Sequence, residues 1–302
     1  MIMNVFSRIT MTVALALGVL FAPAYAEEIT VKQGDLTLRG ELTLAEGKTA
    51  KDGVILMLHG TLAHNKMEIM QSLSDLLKDK GYNTLRANLS YAIDKRASDM
   101  LDCTIEHRHQ HADAVAELET WMQWLQQQGA TKVVLLGHSR GGNQAAWYAA
   151  EKDSELLTKV ITVAPATADP EKATKEYAER YGKPLADIVA EAKKLVDAGK
   201  GDSVMEVPGF VYCEKAKATA KAVLGYYQDD ARLNTPSLLP KIKKPMLIVM
   251  GSEDEVVADL PAKLEGVKQD NLSVATVDGA DHFFLDLYAD ELVDKVTEFV
   301  AW

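Results

Sequence analysis

The amino-acid sequence predicts an α/β fold with a mostly parallel, doubly wound central sheet. Short, continuously apolar segments alternate along the chain with longer amphipathic segments, and polar, glycine-rich stretches follow several of the apolar ones. A strand without polar alternation is buried on both faces, as in a parallel sheet between two helical layers. An N-terminal antiparallel hairpin and a helical cap insertion complete the predicted architecture.

The first 26 residues predict a secretory signal peptide. Arg8 is the only charged residue among them, an apolar run covers Ile9–Ala22, and Ala24-Tyr25-Ala26 resembles a cleavage site. A membrane anchor is the alternative, although the apolar run is too short to span a bilayer comfortably. We therefore predict cleavage after Ala26 and a secreted, periplasmic protein.

The predicted elements follow in order after the cleavage site. Two alternating segments flank Gly34-Asp35 and predict the antiparallel hairpin. Apolar segments then predict the strands of the parallel sheet at 54–58, 83–89, 132–136, 160–164, 245–250 and 272–277. Segments with apolar residues at helical spacing predict helices at 67–80, 112–128, 143–151 and 285–300.

A long charged stretch interrupts this alternation between residues 166 and 241. Its richness in alanine, lysine and glutamate predicts helices, including a second helical piece over 214–227. We interpret 166–241 as a helical cap insertion over one end of the sheet, with 27–165 and 242–302 forming the core. The alternative is a distal helical decoration with no role at the site.

Composition limits the possible partners. The chain has a net charge of −11 and no basic cluster, which argues against nucleic acid and favours a small-molecule substrate. No second apolar run reaches membrane-spanning length, so we expect no stable span after cleavage. Secretion allows Cys103 and Cys213 to form a disulfide, with two unpaired thiols as the alternative. The sequence predicts no oligomeric state.

The strand predicted at 132–136 runs directly into Gly137-His138-Ser139-Arg140-Gly141-Gly142, which fits the pattern G-x-S-x-G. Ligands of open α/β sheets bind beyond the carboxyl ends of the strands. A tight turn from strand to helix would place the Ser139 hydroxyl at the helix N-terminus, where an oxyanion is stabilised. Ser139 is therefore the predicted nucleophile.

A serine hydroxyl needs a base, and the ends of two later strands supply the candidates. His282 follows the strand predicted at 272–277, and Asp254 follows the strand at 245–250. The chain order serine, acid, histidine is that of a hydrolytic triad on such a sheet. Glu253 and Asp281 are alternative acids, but Asp254 has the expected spacing from the glycine that ends its strand.

The stretch after the first apolar strand predicts the remaining parts of the site. The backbone N–H groups of Thr61 and Arg140 are expected to form an oxyanion hole beside the nucleophile. His138, Leu62 and Phe283 are candidates for lining the pocket, because each lies next to a predicted catalytic segment.

Three histidines at 107, 109 and 111 form a separate cluster. We interpret them as part of a solvated loop that leads into a helix. A lining of the pocket rim, and a metal site with Cys103 and Asp113 nearby, are the alternatives. We predict no metal and no cofactor.

These motifs together resemble the α/β-hydrolase fold over nearly all of residues 28–302. The matching segments are His59-Gly60-Thr61, Gly137 to Gly142, Gly251 to Val257 and Gly279 to Phe284. The resemblance implies a Ser139–His282–Asp254 triad and a cap inserted after the strand that ends near Ala164. The subfamily is left open, because the cap resembles the family poorly.

The resemblance implies a secreted serine hydrolase that forms an acyl-enzyme on Ser139. A carboxylic ester is the expected substrate, with thioesters and amides as further options. A cofactor-free haloperoxidase or perhydrolase using the same triad, or a non-catalytic binding protein, are the alternatives. A serine at 139 argues against the haloalkane dehalogenases, which are similar in pattern but use an aspartate.

Overall fold

The computed structural model describes residues 26–152 and 154–301. The predicted signal peptide lies outside the described residues except for Ala26, which begins the first strand. The described strands are β1 (Ala26–Gln33), β2 (Leu36–Thr43), β3 (Val54–Leu58), β4 (Asn83–Asn88), β5 (Glu106–His107), β6 (Val133–His138), β7 (Leu157–Val163), β8 (Val204–Phe210), β9 (Cys213–Thr219), β10 (Met246–Gly251) and β11 (Leu272–Val277).

The described helices cover the sheet and build the insertion. They are α1 (Glu68–Asp79), α2 (Asp113–Gln127), α3 (Arg140–Glu151), α4 (Pro170–Tyr181), α5 (Leu185–Asp197), α6 (Ala220–Tyr227), α7 (Thr235–Leu238), α8 (Leu260–Leu264) and α9 (Leu287–Val300). None of those helices is long and apolar enough to cross a membrane.

Eight strands form the central sheet in the order β1-β2-β4-β3-β6-β7-β10-β11. The six strands from β4 to β11 pair in parallel, whereas β1 and β2 pair antiparallel with each other and β2 pairs antiparallel with β4. Every residue of β3 and of β6 is buried, which explains why these segments are apolar without alternation. The predicted α/β class, with its parallel sheet and N-terminal hairpin, is confirmed.

One core strand begins earlier than its apolar pattern predicts. β7 starts at Leu157 and includes the polar residues Thr158 and Lys159. Lys159 donates from Nζ to the carbonyl oxygens of Phe299 and Val300, at 2.6 and 2.7 Å. A lysine can therefore occupy this strand because its ammonium satisfies the carbonyls at the end of α9.

The inserted segment between β7 and β10 differs from the prediction of a purely helical structure. It contains α4 and α5, then the antiparallel hairpin β8–β9, then α6 and the short α7. The helix predicted over 214–227 is a strand as far as Thr219 and becomes helical only at Ala220. Cys213, Ala216 and Ala218 are buried while the charged residues between them are exposed, so the alternation of a strand was concealed by residues of high helix propensity.

Two connections attach this hairpin to the core. β5 pairs in parallel with β9, which makes a second, three-stranded sheet in the order β5-β9-β8. Cys103 and Cys213 form a disulfide between the loop before β5 and the start of β9, across 110 residues of sequence. The structure thus favours the paired cysteines over two unpaired thiols.

Candidate active site

Ser139 stands at the turn between β6 and α3 with a strained backbone. Its φ is +55° and its ψ is −124°, in a region that non-glycine residues rarely occupy. The Ser139 N–H donates to the carbonyl oxygen of Val163 at 2.9 Å, and the Ser139 carbonyl oxygen accepts from the N–H of Ala166 at 2.9 Å. Hydrogen bonds to the end of the neighbouring strand therefore hold the strained turn in place.

The glycines around this turn are required by close backbone approach. A Cβ at Gly137 would overlap the backbone of Gly141 and Gly142, and a Cβ at Gly141 would overlap the carbonyl oxygens of Leu58 and His59. A side chain at Gly137 would push the start of α3 away from β6, and one at Gly141 would push it away from the end of β3. The pattern G-x-S-x-G thus reflects contact between backbones.

His282 and Asp254 meet in a hydrogen bond beyond the ends of β10 and β11. His282 Nδ1 lies 2.8 Å from Asp254 Oδ2, and both side chains are more than nine-tenths buried. The other carboxylate oxygen, Oδ1, accepts from the N–H groups of Val256 and Val257 at 2.8 and 3.0 Å. Because Nδ1 is paired with the carboxylate, Nε2 is the ring nitrogen left to accept a proton.

The electrostatics of this pair favour a charged Asp254. Burial alone would raise the pKa of the Asp254 carboxyl, but the hydrogen bonds from His282 and from the backbone of Val257 and Val256 outweigh it and hold the pKa below its usual value. Glu253 and Asp281 are exposed, and Asp281 Oδ1 accepts from the Phe283 N–H at 2.8 Å. Of the three candidate acids, the structure brings only Asp254 to the histidine.

His138 supports His282 from below, a contact that the sequence did not indicate. Its Nε2 lies 2.8 Å from the carbonyl oxygen of His282, and the two rings are 4.9 Å apart. Burial lowers the pKa of His138 to about 4, so the ring is neutral and carries its proton on Nε2 to donate to that carbonyl. His138 therefore fixes the backbone that carries His282.

Thr61 and Arg140 both lie close to Ser139. Thr61 lies in the loop after β3, and Arg140 is the first residue of α3, where a backbone N–H has no acceptor within the helix. The two residues are also joined by their side chains, since Arg140 Nε donates to Thr61 Oγ1 at 2.9 Å. The structure therefore brings together the two segments predicted to form an oxyanion hole.

Ser139 and His282 line one cavity of about 270 Å³. His138 and Phe283 line this cavity, as predicted, whereas Leu62 does not. Leu62 has a φ of +52° and is buried in the hydrophobic core, so the predicted lining position is wrong. The other residues on the wall are His59, Gly60, Thr61, Ala63, Met67, Ile69, Met70, Met100, Tyr212 and Val256.

A second, more polar cavity of about 490 Å³ lies between α3 and the inserted segment. Arg140, Tyr226 and Asp230 are on its wall, and Val256 lines both cavities. Ser139, the predicted nucleophile, thus stands at the apolar cavity, while the next residue, Arg140, faces the polar one.

The three clustered histidines are buried between the core and the insertion, so the interpretation as a solvated loop is wrong. His109 Nδ1 lies 2.8 Å from the Tyr226 hydroxyl and His107 Nδ1 lies 3.3 Å from His109 Nε2. His111 Nε2 lies 2.7 Å from Asn143 Oδ1. None of them lines either cavity, and no group of three metal-ligating side chains occurs among residues 26–152 and 154–301.

Comparison with known proteins gives a family and a fold. The family model described as "Serine aminopeptidase, S33" (Hydrolase_4) matches residues 49–286. Est1E from Butyrivibrio proteoclasticus aligns with 91% of this chain and 97% of its own at 19% identity, with a TM-score of 0.64. The monoacylglycerol lipase of Paleococcus ferrophilus aligns over 87% and 98% at 18% identity, with a TM-score of 0.60. The Pyrococcus furiosus esterase Pf2001 covers 92% and 90% at 16% identity, with a TM-score of 0.59.

At these identities the solved structures show a shared fold and no more. No curated protein sequence matches the chain.

Proposed function

This chain belongs to the Hydrolase_4 family of serine hydrolases, serine aminopeptidase S33, with an α/β-hydrolase fold. From that premise we propose that it hydrolyses a carboxylic ester through an acyl-enzyme on Ser139. The observation that carries the proposal is the pairing of His282 with Asp254 beside a cavity that Ser139 and His282 line together.

The reaction takes place in two steps. Ser139 Oγ attacks the ester carbonyl while His282 Nε2 takes its proton, and Asp254 stabilises the imidazolium and holds its tautomer. The N–H groups of Thr61 and Arg140 donate to the carbonyl oxygen as it becomes negative. His282 returns the proton to the departing alcohol, which leaves an ester of Ser139. Water then attacks by the same route and releases the acid.

The wall of the cavity favours a neutral, apolar acyl group. Three methionines, an isoleucine and a phenylalanine line it, and no aspartate or glutamate of the described chain does. An aminopeptidase needs a carboxylate to balance the buried amine of its substrate, so this wall favours an ester over a peptide.

We propose further that the protein is secreted to the periplasm. The support is the N-terminal sequence of Arg8, apolar run and Ala24-Tyr25-Ala26, together with the Cys103–Cys213 disulfide. Disulfides of this kind persist in oxidising compartments.

The test compares the purified chain with Ser139→Ala and, as a matched control, with Ser273→Ala at an exposed position of β11. We expect Ser139→Ala to lose both p-nitrophenyl ester hydrolysis and covalent labelling by a fluorophosphonate, while Ser273→Ala keeps both. Labelling of Ser139→Ala at the wild-type level would overturn the assignment.

Matched esters, thioesters and anilides of graded acyl length then define the substrate. Preference for an anilide that carries a free amine would indicate a peptidase and overturn the proposed ester substrate. Turnover that requires peroxide and a carboxylic acid or halide would point to a perhydrolase or haloperoxidase. Binding without any turnover would point to a non-catalytic protein.

A further inference from the structure

The Arg140 side chain joins three parts of the molecule that meet beside the nucleophile. Its Nε donates to Thr61 Oγ1 at 2.9 Å, and its Nη1 lies 3.1 Å from His111 Nδ1. Its guanidinium carbon lies 5.2 Å from the centre of the Tyr226 ring, which belongs to the inserted segment. The cation is therefore held by one hydroxyl, one imidazole and one aromatic face.

The hydrogen-bond network shows which nitrogen of His111 carries the proton. Asn143 donates from Nδ2 to the carbonyl oxygen of Arg232 and to Thr235 Oγ1, at 3.0 and 3.1 Å. Its Oδ1 is thus an acceptor and takes a hydrogen bond from His111 Nε2 at 2.7 Å. Burial lowers the pKa of His111 to about 3, so the ring is neutral and its Nδ1 accepts from Arg140.

Thr61 itself lies in a loop whose neighbouring peptides are held from outside, since the Leu62 carbonyl oxygen accepts from the Leu101 N–H at 2.8 Å and the Ala63 carbonyl oxygen accepts from Arg96 Nη2 at 2.6 Å. The turn over 60–63 is closed by a long hydrogen bond of 3.4 Å from the Ala63 N–H to the Gly60 carbonyl oxygen, and Leu62 has a positive φ. Neither feature fixes the direction of the Thr61 N–H strongly. The hydrogen bond from Arg140 Nε is the side-chain contact that ties this residue to α3.

We propose that the Arg140 side chain is a positioning residue that sets the direction of the Thr61 N–H in the oxyanion hole. The backbone of Arg140 then supplies one donor, while its side chain aligns the other. This inference rests on the proposed function, because it concerns the tetrahedral intermediate formed at Ser139. Since the oxyanion forms only during reaction, misalignment should affect the chemical step more than substrate binding.

The experiment measures Arg140→Gln, Arg140→Lys and Arg140→Met with a p-nitrophenyl ester. We expect kcat of Arg140→Gln and Arg140→Met to fall by about 10- to 100-fold, less than the full loss of a donor. We expect KM to stay within about threefold of wild type. Affinity for a boronic acid, which forms a tetrahedral adduct with Ser139, should fall with kcat. Affinity for the ether analogue of the substrate, which lacks a carbonyl, should not change.

Thr61→Val provides the second arm, because it keeps the backbone N–H and removes only the acceptor of the Arg140 hydrogen bond. We expect the same fall in kcat, and no further fall when Thr61→Val is combined with Arg140→Gln, since both remove one interaction. Arg180→Gln, at an exposed position of α4, is the matched control for loss of a cation. Thr61→Val also keeps the test valid if the Arg140 variants fail to fold.

Three outcomes would overturn the inference: wild-type kcat and boronate affinity in Arg140→Gln, additive losses in the double variant, or full recovery in Arg140→Lys. Full recovery in Arg140→Lys would mean that a positive charge is enough, without simultaneous hydrogen bonds to Thr61 Oγ1 and His111 Nδ1. Loss of activity in Ser139→Ala alongside any of these would leave the proposed function intact. Retained activity in Ser139→Ala would instead remove the proposed function itself.

Discussion

The carboxyl edge of the sheet and the inserted segment 166–241 face each other across the site but are held by different forces. Ser139, Asp254 and His282 all follow strands of the core sheet and are fixed by backbone hydrogen bonds and burial. The first helix of the insertion, α4, buries only Tyr177, and the hairpin after α5 is attached by a disulfide, by two residue pairs with β5 and by Phe210, which packs on His107. Changes at the edge should therefore alter the chemistry, and changes in the insertion should alter its attachment and selectivity.

The largest effect is expected at the sheet edge, for Asp254→Asn. The amide cannot hold the His282 tautomer or stabilise the imidazolium, so kcat should fall by about 10⁴-fold while the fold is kept. Steady-state kinetics with a p-nitrophenyl ester measure it, and Glu253→Gln, one residue away and exposed, is the control. A larger loss in Glu253→Gln than in Asp254→Asn would contradict the hydrogen bond seen at 2.8 Å.

The next effect is expected where the insertion is attached. Replacing both cysteines, Cys103→Ser with Cys213→Ser, opens a loop of 110 residues and should lower the free energy of unfolding by up to about 4–5 kcal/mol in the chain-entropy model. Urea unfolding followed by far-UV circular dichroism measures this loss.

The same double variant also tests whether the insertion unfolds separately from the core. If the insertion is an attached unit, it should become sensitive to protease at lower urea than the core does. Turnover of a small ester should persist in the absence of urea. If the core and the insertion both lose their protection from protease at the same urea concentration, the two regions unfold together.

The third effect concerns how the free energy of unfolding of the core depends on pH. Burial raises the pKa of Glu117 on α2 to about 7 from 4.5, although the Ser90 hydroxyl and N–H donate to its carboxyl at 2.6 and 3.0 Å. The folded state then binds more protons than the unfolded state between these two values. Stability should therefore fall by about 3 kcal/mol as pH rises from 4.5 to 7.

Glu117→Gln should remove that part of the pH dependence, because the amide does not ionise. Urea unfolding of both proteins between pH 4.5 and 8 measures it, and the contributions of all other groups cancel in the difference. Parallel curves for the two proteins would show that Glu117 does not carry the effect. The core should thus lose stability between pH 4.5 and 7 as Glu117 ionises.

The sequence predicts parts of the core well because β3 is apolar throughout and because Gly81 and Gly129 follow the ends of α1 and α2. β3 and β11 coincide with the predicted segments, and the turn residues Gly137 and Gly141 indicate the close backbone approach that the structure contains. The apolar run and the glycine spacing are visible in short stretches of sequence, although the contact that requires Gly141 is made with the distant carbonyl oxygens of Leu58 and His59.

The insertion could not be predicted in the same way because its structure depends on distant partners. β9 is a strand because it pairs with β5 and β8, although alanine and lysine dominate its sequence. His107 is buried because Phe210 packs on it from the hairpin, with ring centres 4.9 Å apart. The link from Arg140 to Thr61 likewise joins residues 79 apart in sequence, so no local pattern indicates it.

The smallest effect is expected at the one contact through which the insertion reaches the apolar cavity. Of the fourteen described residues that line it, only Tyr212 belongs to 166–241. Tyr212 lies at the turn between β8 and β9, beside the disulfide, and is 55% exposed. The insertion therefore borders the mouth of the cavity, while the core forms its depth.

Tyr212→Ala should accordingly raise KM for an apolar ester by about fivefold, which corresponds to the loss of about 1 kcal/mol of apolar contact at a half-exposed site. Its kcat should be unchanged, because Tyr212 is half-exposed at the turn between β8 and β9 and is not one of the residues proposed to transfer the proton. The matched change in the core wall is Met70→Ala, at a fully buried position, where the loss in kcat/KM should be larger and should grow with acyl length. If Tyr212→Ala lowers kcat/KM more than Met70→Ala does, substrate selectivity is determined mainly by the insertion and not by the core wall.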